Sequence, residues 1–191
     1  MSKAQRYINH YQELIKVCRE MRVSNQTIKL LPTEKNIVSK ALSVADKHEI
    51  NSIIPFAFVF PQIPMERKME MIHYGGQKGS IFLDVNKIID KEETPNNPYV
   101  IFFPKKVSLG NLPKCASPLT LRETLSVYTQ KPALIEMGGA TIMGSHFKDG
   151  KQSSLMSLVR CENYGPRLSI ITKEAVKRPS FCTPVERMVA L

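Results

Sequence analysis

Cys182 and His146 are the two residues of this sequence that could together serve a nucleophilic reaction. A thiol becomes a nucleophile when a cation or an imidazole stabilises its thiolate. Cys182 lies between two prolines and close to several basic residues, and His146 follows Gly144 and Ser145. Cys115 is an alternative nucleophile for the same histidine. The competing interpretation is a small buried thiol and a half-buried structural histidine.

A group of basic residues could instead bind an anion. The fork of an arginine side chain matches the geometry of a carboxylate or a phosphate, and alternate positions on strands would bring some of these arginines onto one face of a sheet. Solvated strand edges carry similar charges without binding anything. The ligand-binding candidates are Arg160, Arg167, Arg178, Arg187 and Lys78.

Lys78 belongs to a glycine-rich segment, Gly75-Gly76-Gln77-Lys78-Gly79-Ser80, that has the residue types of a phosphate loop. A P-loop needs Gly-x-x-x-x-Gly-Lys-Ser/Thr between a strand and a helix, so that amides at the helix start face the phosphate. Here the order differs, and the segment leads from a predicted helix into a predicted strand. It therefore predicts a helix C-cap followed by a turn, with a passive anion-binding nest as the alternative.

The cysteines and the apolar runs predict neither a metal site nor a membrane span. No Cys-x-x-Cys pair is present, so we expect no structural zinc, and no motif indicates a cofactor. The N-terminus lacks the apolar stretch of a secretion signal, and the longest apolar run, residues 53–61, is too short to cross a bilayer. We expect reduced thiols and a cytoplasmic location. The cysteines are Cys18, Cys115, Cys161 and Cys182.

Length and net charge limit the number of domains and the class of partner only broadly. The chain has 191 residues, 42% of them hydrophobic, which is enough for one domain with a core of its own. The net charge of +10 is spread along the chain and forms no run of five or six like charges, which would mark an interaction arm. This excess favours weak attraction to anions but does not by itself predict a DNA-binding protein.

Residues 1–50 predict a helical hairpin that packs on the rest of the chain. Apolar residues recur at steps of four and three in the first helix, and a second helix follows Pro32 and Thr33, with a polar connection over residues 24–27. Both apolar faces need a cover, which we expect to be the sheet. The stripe of the first helix consists of Tyr7, Tyr11, Leu14, Cys18 and Met21.

Residues 51–191 predict an α+β core, so the whole chain reads as α+β: an N-terminal helical hairpin, then a mixed, mainly antiparallel sheet with helices packed on it. Thr120 and Glu123 form a capping box that opens a helix ending at Lys131-Pro132. Asp149-Gly150 predicts a type I′ hairpin turn. A helix aligns Met65, Met69 and Ile72. The predicted strands are residues 53–60, 80–85, 99–103, 133–137, 140–145, 154–160 and 167–172, with an irregular stretch at 107–113.

The order of these features resembles a bacterial and archaeal family known only as a domain of unknown function. The resemblance covers residues 53–187, about three quarters of the chain, and departs from the family near Cys182. It implies the same fold and an accessory role rather than a reaction. The landmarks are the strand at 53–60, the turn at 76–79, Thr94-Pro95, Pro98-Tyr99, residues 118–120 with Glu123, Pro132, Gly144-Ser145 and residues 165–168.

Three functions remain open at this point. We favour a non-enzymatic binding or interaction module, with the N-terminal helices and the arginine-bearing sheet as contact surfaces and a protein or an anionic ligand as the partner. The alternative is a hydrolase or transferase of the Cys/His type. The second alternative is a weak binder of nucleic acid or of another anionic ligand, for which affinity should fall with salt.

Overall fold

The computed structural model describes residues 1–47, 54–103, 118–137, 139–161, 163–171 and 186–190. The α+β class that the sequence predicts is confirmed. The helices are α1 (Lys3–Glu20), α2 (Asn25–Ile28), α3 (Glu34–Lys47), α4 (Met65–Glu70), α5 (Leu121–Gln130) and α6 (Leu134–Met137). The strands are β1 (Phe56–Val59), β2 (His73–Tyr74), β3 (Gln77–Lys78), β4 (Ser80–Ile81), β5 (Ile88–Asp90), β6 (Tyr99–Phe102), β7 (Ala140–Asp149), β8 (Gln152–Val159), β9 (Arg167–Ile171) and β10 (Glu186–Val189). Within these ranges no helix is long and apolar enough to cross a membrane.

The N-terminal helices α1 and α3 form as predicted and pack on a sheet. The apolar stripe of α1 is buried except for Tyr11, which is partly buried. Ser2 caps the helix by accepting a hydrogen bond from the backbone N–H of Gln5. Between the two helices the structure has the single-turn helix α2, where the sequence predicts a polar connection. Ser24 caps α2 by accepting a hydrogen bond from Thr27 N at 3.1 Å, which explains why these polar residues start a turn of helix.

The first sheet is antiparallel and has the strand order β1-β6-β10. One of its faces carries Phe56, Phe58 and Phe102, which pack under α1 and α3. The opposite face carries Tyr99 and Ile101, which pack with α5. The predicted burial of the first strand on both faces is therefore confirmed.

The outer edge of β1 is closed by a side chain from α5. Gln130 accepts a hydrogen bond from Phe58 N at 2.9 Å and donates one to Phe58 O at 2.5 Å. Its amide therefore takes the place that a peptide group of a further strand would occupy. This contact ties α5 to the first sheet by polar bonds as well as by apolar packing.

The second sheet has the strand order β4-β9-β8-β7-β5. The β4–β9 pair is parallel and the other pairs are antiparallel, so the sheet is mixed, as predicted. Ile142, Met156 and Leu168 point from this sheet into the core around α5. The short strands β2 and β3 form a separate antiparallel pair. Helix α5 lies between the two larger sheets.

Two of the predicted strands differ from the structure. Residues 133–137 form the helix α6 and not a strand, because Leu134 N and Ile135 N bond back to the carbonyls of Lys131 and Pro132. A short apolar run does not distinguish helix from strand. Within the predicted strand at 80–85, only Ser80–Ile81 forms a strand, β4. The next strand, β5, has no counterpart among the predicted strands.

The β7–β8 hairpin forms, but with a different turn. Asp149 pairs with Gln152, so the two central residues are Gly150 and Lys151. Only Gly150 has positive φ, at +57°. A type I′ turn needs positive φ at both central positions, whereas a type II′ turn needs it only at the first. The prediction of a hairpin is therefore confirmed, and that of a type I′ turn is wrong.

Replacement of Gln130 by leucine tests the closure of β1. The variant keeps the volume of the side chain but leaves Phe58 N and Phe58 O without partners in a buried site, so we expect a loss of about 2–3 kcal/mol in the free energy of unfolding. Urea titration followed by circular dichroism measures it. Gln62→Leu, at an exposed turn position, is the control and should change stability by less than about 0.5 kcal/mol. Equal effects of the two variants would contradict the role of Gln130.

Candidate functional site

The most extensive polar arrangement in the described structure surrounds Glu123, whose side chain is fully buried. Its carboxylate accepts hydrogen bonds from Arg187 Nε at 2.6 Å, Arg187 Nη2 at 2.9 Å and Tyr99 Oη at 2.9 Å. Thr120 N donates a further bond at 2.9 Å, which completes the predicted capping box. Burial raises the pKa of Tyr99, which therefore stays a neutral donor. The carboxylate is saturated by the protein itself.

Arg187 is accordingly engaged inside the fold. Besides its two bonds to Glu123, its Nη2 donates to Pro118 O at 3.2 Å. Its role as a ligand-binding residue stays a prediction, and a ligand would meet a guanidinium whose fork already holds a carboxylate. The geometry is that of a bidentate ion pair joining β10 to the start of α5.

Ser145 and Asp90 continue this polar arrangement. Ser145 Oγ accepts a hydrogen bond from Leu121 N at 2.7 Å and donates one to Asp90 Oδ1. Ser145 is fully buried, and burial also raises the pKa of Asp90. The serine satisfies an amide of the first turn of α5 that has no partner within the helix. A hydroxyl that is committed in this way caps a helix and does not face a substrate.

A second pair of groups with potential chemistry is Lys68 on α4 and Ser126 on α5. Lys68 Nζ donates to Ser126 Oγ at 2.8 Å, and Ser126 Oγ donates to Arg122 O at 2.8 Å. Desolvation lowers the pKa of Lys68 to about 7. Only 1% of each residue is exposed, so no substrate reaches the pair. Sequence reasoning missed Lys68 because a lysine in a short helix is ordinarily solvated.

The predicted Cys/His pair falls partly outside the described residues. Cys115, Cys182 and Arg178 lie outside the described residues, and His146 lies on β7 opposite Ile89. His146 Nδ1 is buried and has no hydrogen-bond partner within the described ranges. Of the two free cysteines that the structure describes, Cys18 is buried, and burial raises the pKa of its thiol to about 12. The hydrolase or transferase alternative therefore stays a prediction.

The glycine-rich segment at 75–80 is a tight hairpin. Gly75 and Gly76 connect β2 to β3 with φ of +57° and +77°, the pair of positive values that a type I′ turn needs. The preceding helix α4 ends earlier, with Met71 as its C-cap. The prediction of a helix C-cap that leads directly into a turn is wrong at this point, since a two-stranded hairpin intervenes.

Three of the five predicted ligand-binding residues lie around this hairpin. Lys78 is exposed on β3, and the guanidinium carbon of Arg160 lies 5.8 Å from the ring centroid of Tyr74 on β2. Arg167 starts β9, where it pairs with Ser80 of β4. The structure thus brings Lys78, Arg160 and Arg167 to neighbouring segments and places Arg187 with Glu123.

Arg167 contacts two exposed aromatic rings. Its guanidinium carbon lies 4.0 Å from the ring centroid of Tyr164 and 4.8 Å from that of Phe82. Tyr164 is 59% exposed and Phe82 is 71% exposed. We call Phe82, Tyr164 and Arg167 the arginine–aromatic patch. Sequence reasoning identified Arg167 but missed both rings, because the parallel β4–β9 pairing that joins them leaves no local signal.

The charge of Arg167 is not neutralised within the described part of the chain. No carboxylate there forms an ion pair with it, and its Nε is buried without a hydrogen-bond partner. The two rings hold the guanidinium by cation–π attraction, which leaves its other N–H donors available. The patch therefore combines a fixed positive charge with two open ring surfaces.

Comparison with protein-family models, with curated proteins and with solved structures finds no match for this chain. The resemblance to a bacterial and archaeal family therefore stays a prediction. Across the described residues, no group of three His, Cys, Asp or Glu side chains is placed to hold a metal ion.

Replacement of Arg187 by methionine tests the ion pair. The variant leaves the buried carboxylate of Glu123 without its cation, so we expect a loss of about 3–5 kcal/mol in the free energy of unfolding. The double variant Glu123→Gln/Arg187→Met should recover part of that loss, because no charge is then left buried. Urea titration measures both. An Arg187→Met variant as stable as the exposed-site control Arg19→Met would disprove a structural role for the pair.

Lys68 makes stability depend on pH. Below pH 7 the lysine is protonated in both the folded and the unfolded chain, and the folded state bears the desolvation penalty. Between pH 7 and its unfolded pKa of 10.5 only the unfolded chain binds the proton, so the free energy of unfolding rises with pH. Lys68→Met should be more stable than the parent at pH 6, with a difference that shrinks towards pH 10. Urea titrations of both proteins across this range give the difference, and a constant difference would refute the assignment.

Proposed function

We propose that this protein is a non-enzymatic binding module that holds an anionic partner on the arginine–aromatic patch. The observation that carries the proposal is the packing of the Arg167 guanidinium against two rings that are each more than half exposed. Exposed aromatic rings beside an arginine are typical of a contact surface, because aromatic residues and arginine are enriched where proteins bind partners.

The electrostatics of the surroundings support an anion as the partner. Lys78 is exposed on the neighbouring hairpin, and Arg160 lies against the same hairpin through Tyr74. The whole chain carries a net charge of +10. A positive surface of this kind raises the local concentration of anions and accelerates their association.

The rigidity of the patch also supports binding. Arg167 belongs to β9, Phe82 directly follows β4, and β4 and β9 pair in parallel. Ser80 N donates to Pro166 O at 3.0 Å, which fixes the loop that carries Tyr164. A preorganised surface loses less conformational entropy when it binds.

The free thiols of Cys18 and Cys161 fit the cytoplasmic location that the sequence predicts.

A heparin column tests the proposal, with heparin as a generic polyanion. Arg167→Ala should elute at a lower salt concentration than the parent protein, because the patch loses its fixed charge. Arg19→Ala removes the same charge from an exposed position of α1 and should elute close to the parent. Circular dichroism checks that both variants are folded. Identical elution of the two variants would show that only net charge matters, and the proposed function would fall.

A further inference from the structure

We infer that the anionic partner of the patch is a single-stranded nucleic acid, whose bases stack on Phe82 and Tyr164 while its phosphates meet Arg167 and Lys78. The inference rests on the proposed binding function and adds the class of partner. It is carried by the two rings, because an anion that lacks an aromatic face would use only the cations.

The two rings are close enough to serve neighbouring nucleotides. Since the Arg167 guanidinium carbon is 4.8 Å from one centroid and 4.0 Å from the other, the centroids are within about 9 Å of each other. That distance corresponds to no more than about three base steps of 3.4 Å. Unpaired bases stack on exposed aromatic side chains and on arginine planes irrespective of their identity.

The backbone beside Tyr164 lies close to the strand that carries Lys78. Gly165 has φ of +72°, and a Cβ at this position would lie 2.6 Å from Lys78 O. Only glycine allows the loop to come this close to β3 in that conformation. The loop that carries Tyr164 and the strand that carries Lys78 are therefore in contact, so a strand of nucleic acid whose base stacks on Tyr164 passes near a second positive charge.

Other anions use this surface less completely. An acidic peptide would pair its carboxylates with Arg167 and Lys78 but would leave the exposed faces of Phe82 and Tyr164 in water. A double helix presents its phosphates, whereas its bases are stacked on each other and are closed to side chains that lie outside the grooves. A single strand offers both a phosphate and a free base face for every nucleotide.

The test uses the full chain and four fluorescein-labelled probes in fluorescence anisotropy at 50 mM salt. The probes are a 12-nucleotide oligothymidine, an abasic deoxyribose phosphate of the same length and charge, the oligothymidine–oligoadenine duplex, and a 12-residue polyglutamate. We expect the oligothymidine to bind most tightly. Phe82→Ala and Tyr164→Ala should each weaken its binding by about 5- to 100-fold and should weaken binding of the abasic probe much less, whereas Tyr164→Phe should keep the affinity.

Salt provides a second readout. The logarithm of the association constant for oligothymidine should fall linearly with the logarithm of the salt concentration, and Arg167→Ala should make that slope shallower by about one phosphate contact. Arg19→Ala should leave the slope unchanged. An unchanged slope in Arg167→Ala would show that Arg167 makes no contact with a phosphate, which contradicts the inference.

The comparison of oligothymidine with the abasic probe uses the parent protein alone, so it tests the role of the bases even where a substitution disturbs folding. If the abasic probe, the duplex or polyglutamate binds as tightly as oligothymidine while Arg167→Ala weakens that binding, the nucleic-acid inference is overturned and the anion-binding function stands. If none of the four probes binds, or if binding ignores Arg167, the proposed function falls with it.

Discussion

The buried carboxylate of Glu123 determines how distant parts of this chain fit together. It accepts hydrogen bonds from Thr120, the N-cap of its own helix, from Tyr99 on β6 and from Arg187 on β10. An isolated carboxylate at 0% exposure would be strongly unfavourable, and here each of its oxygens is occupied by donors. Two strands of the first sheet are thereby fixed to the start of α5, and Ser145 on β7 fixes the second sheet to the same helix end.

The position of α5 between two sheets requires that its polar side be buried as well. The hydroxyls of Thr124, Ser126 and Thr129 donate to carbonyls one turn earlier in the helix. Gln130 donates a hydrogen bond to Phe58 O on β1, and Ser126 Oγ accepts one from Lys68 Nζ. Each polar group is satisfied locally or by one specific neighbour, so a helix with an amphipathic sequence can lie within a core.

The same helix shows what sequence reasoning can and cannot reach. Its start and end are encoded locally, by the capping box at Thr120 and by Lys131-Pro132, and both predictions are confirmed. The burial of its polar face is not encoded locally, because it depends on partners that are distant in sequence, such as Phe58. Periodicity therefore predicted one packed face where the structure has a helix packed on all sides.

The arginine–aromatic patch, too, could be predicted only in part from the sequence. Arg167 could be named from the sequence because arginines on a strand are a recognised anion-binding pattern. Phe82 and Tyr164 reach it only through the β4–β9 pairing and the close approach permitted by Gly165. The Gly75-Gly76 hairpin was also missed, since a pair of glycines after a helix fits a C-cap as well as it fits a hairpin.

The pairing of Glu123 with Arg187 has a consequence for the synthesis of the protein. The two residues are 64 positions apart, which a ribosome covers in roughly 3–13 s at ordinary rates of elongation. During that interval the chain contains α5 and the strands before β10, but the carboxylate of Glu123 lacks its cation. Because a buried carboxylate without its cation is unfavourable, we expect this end of the helix to stay hydrated until β10 has been made, and the two sheets to close around α5 late in folding.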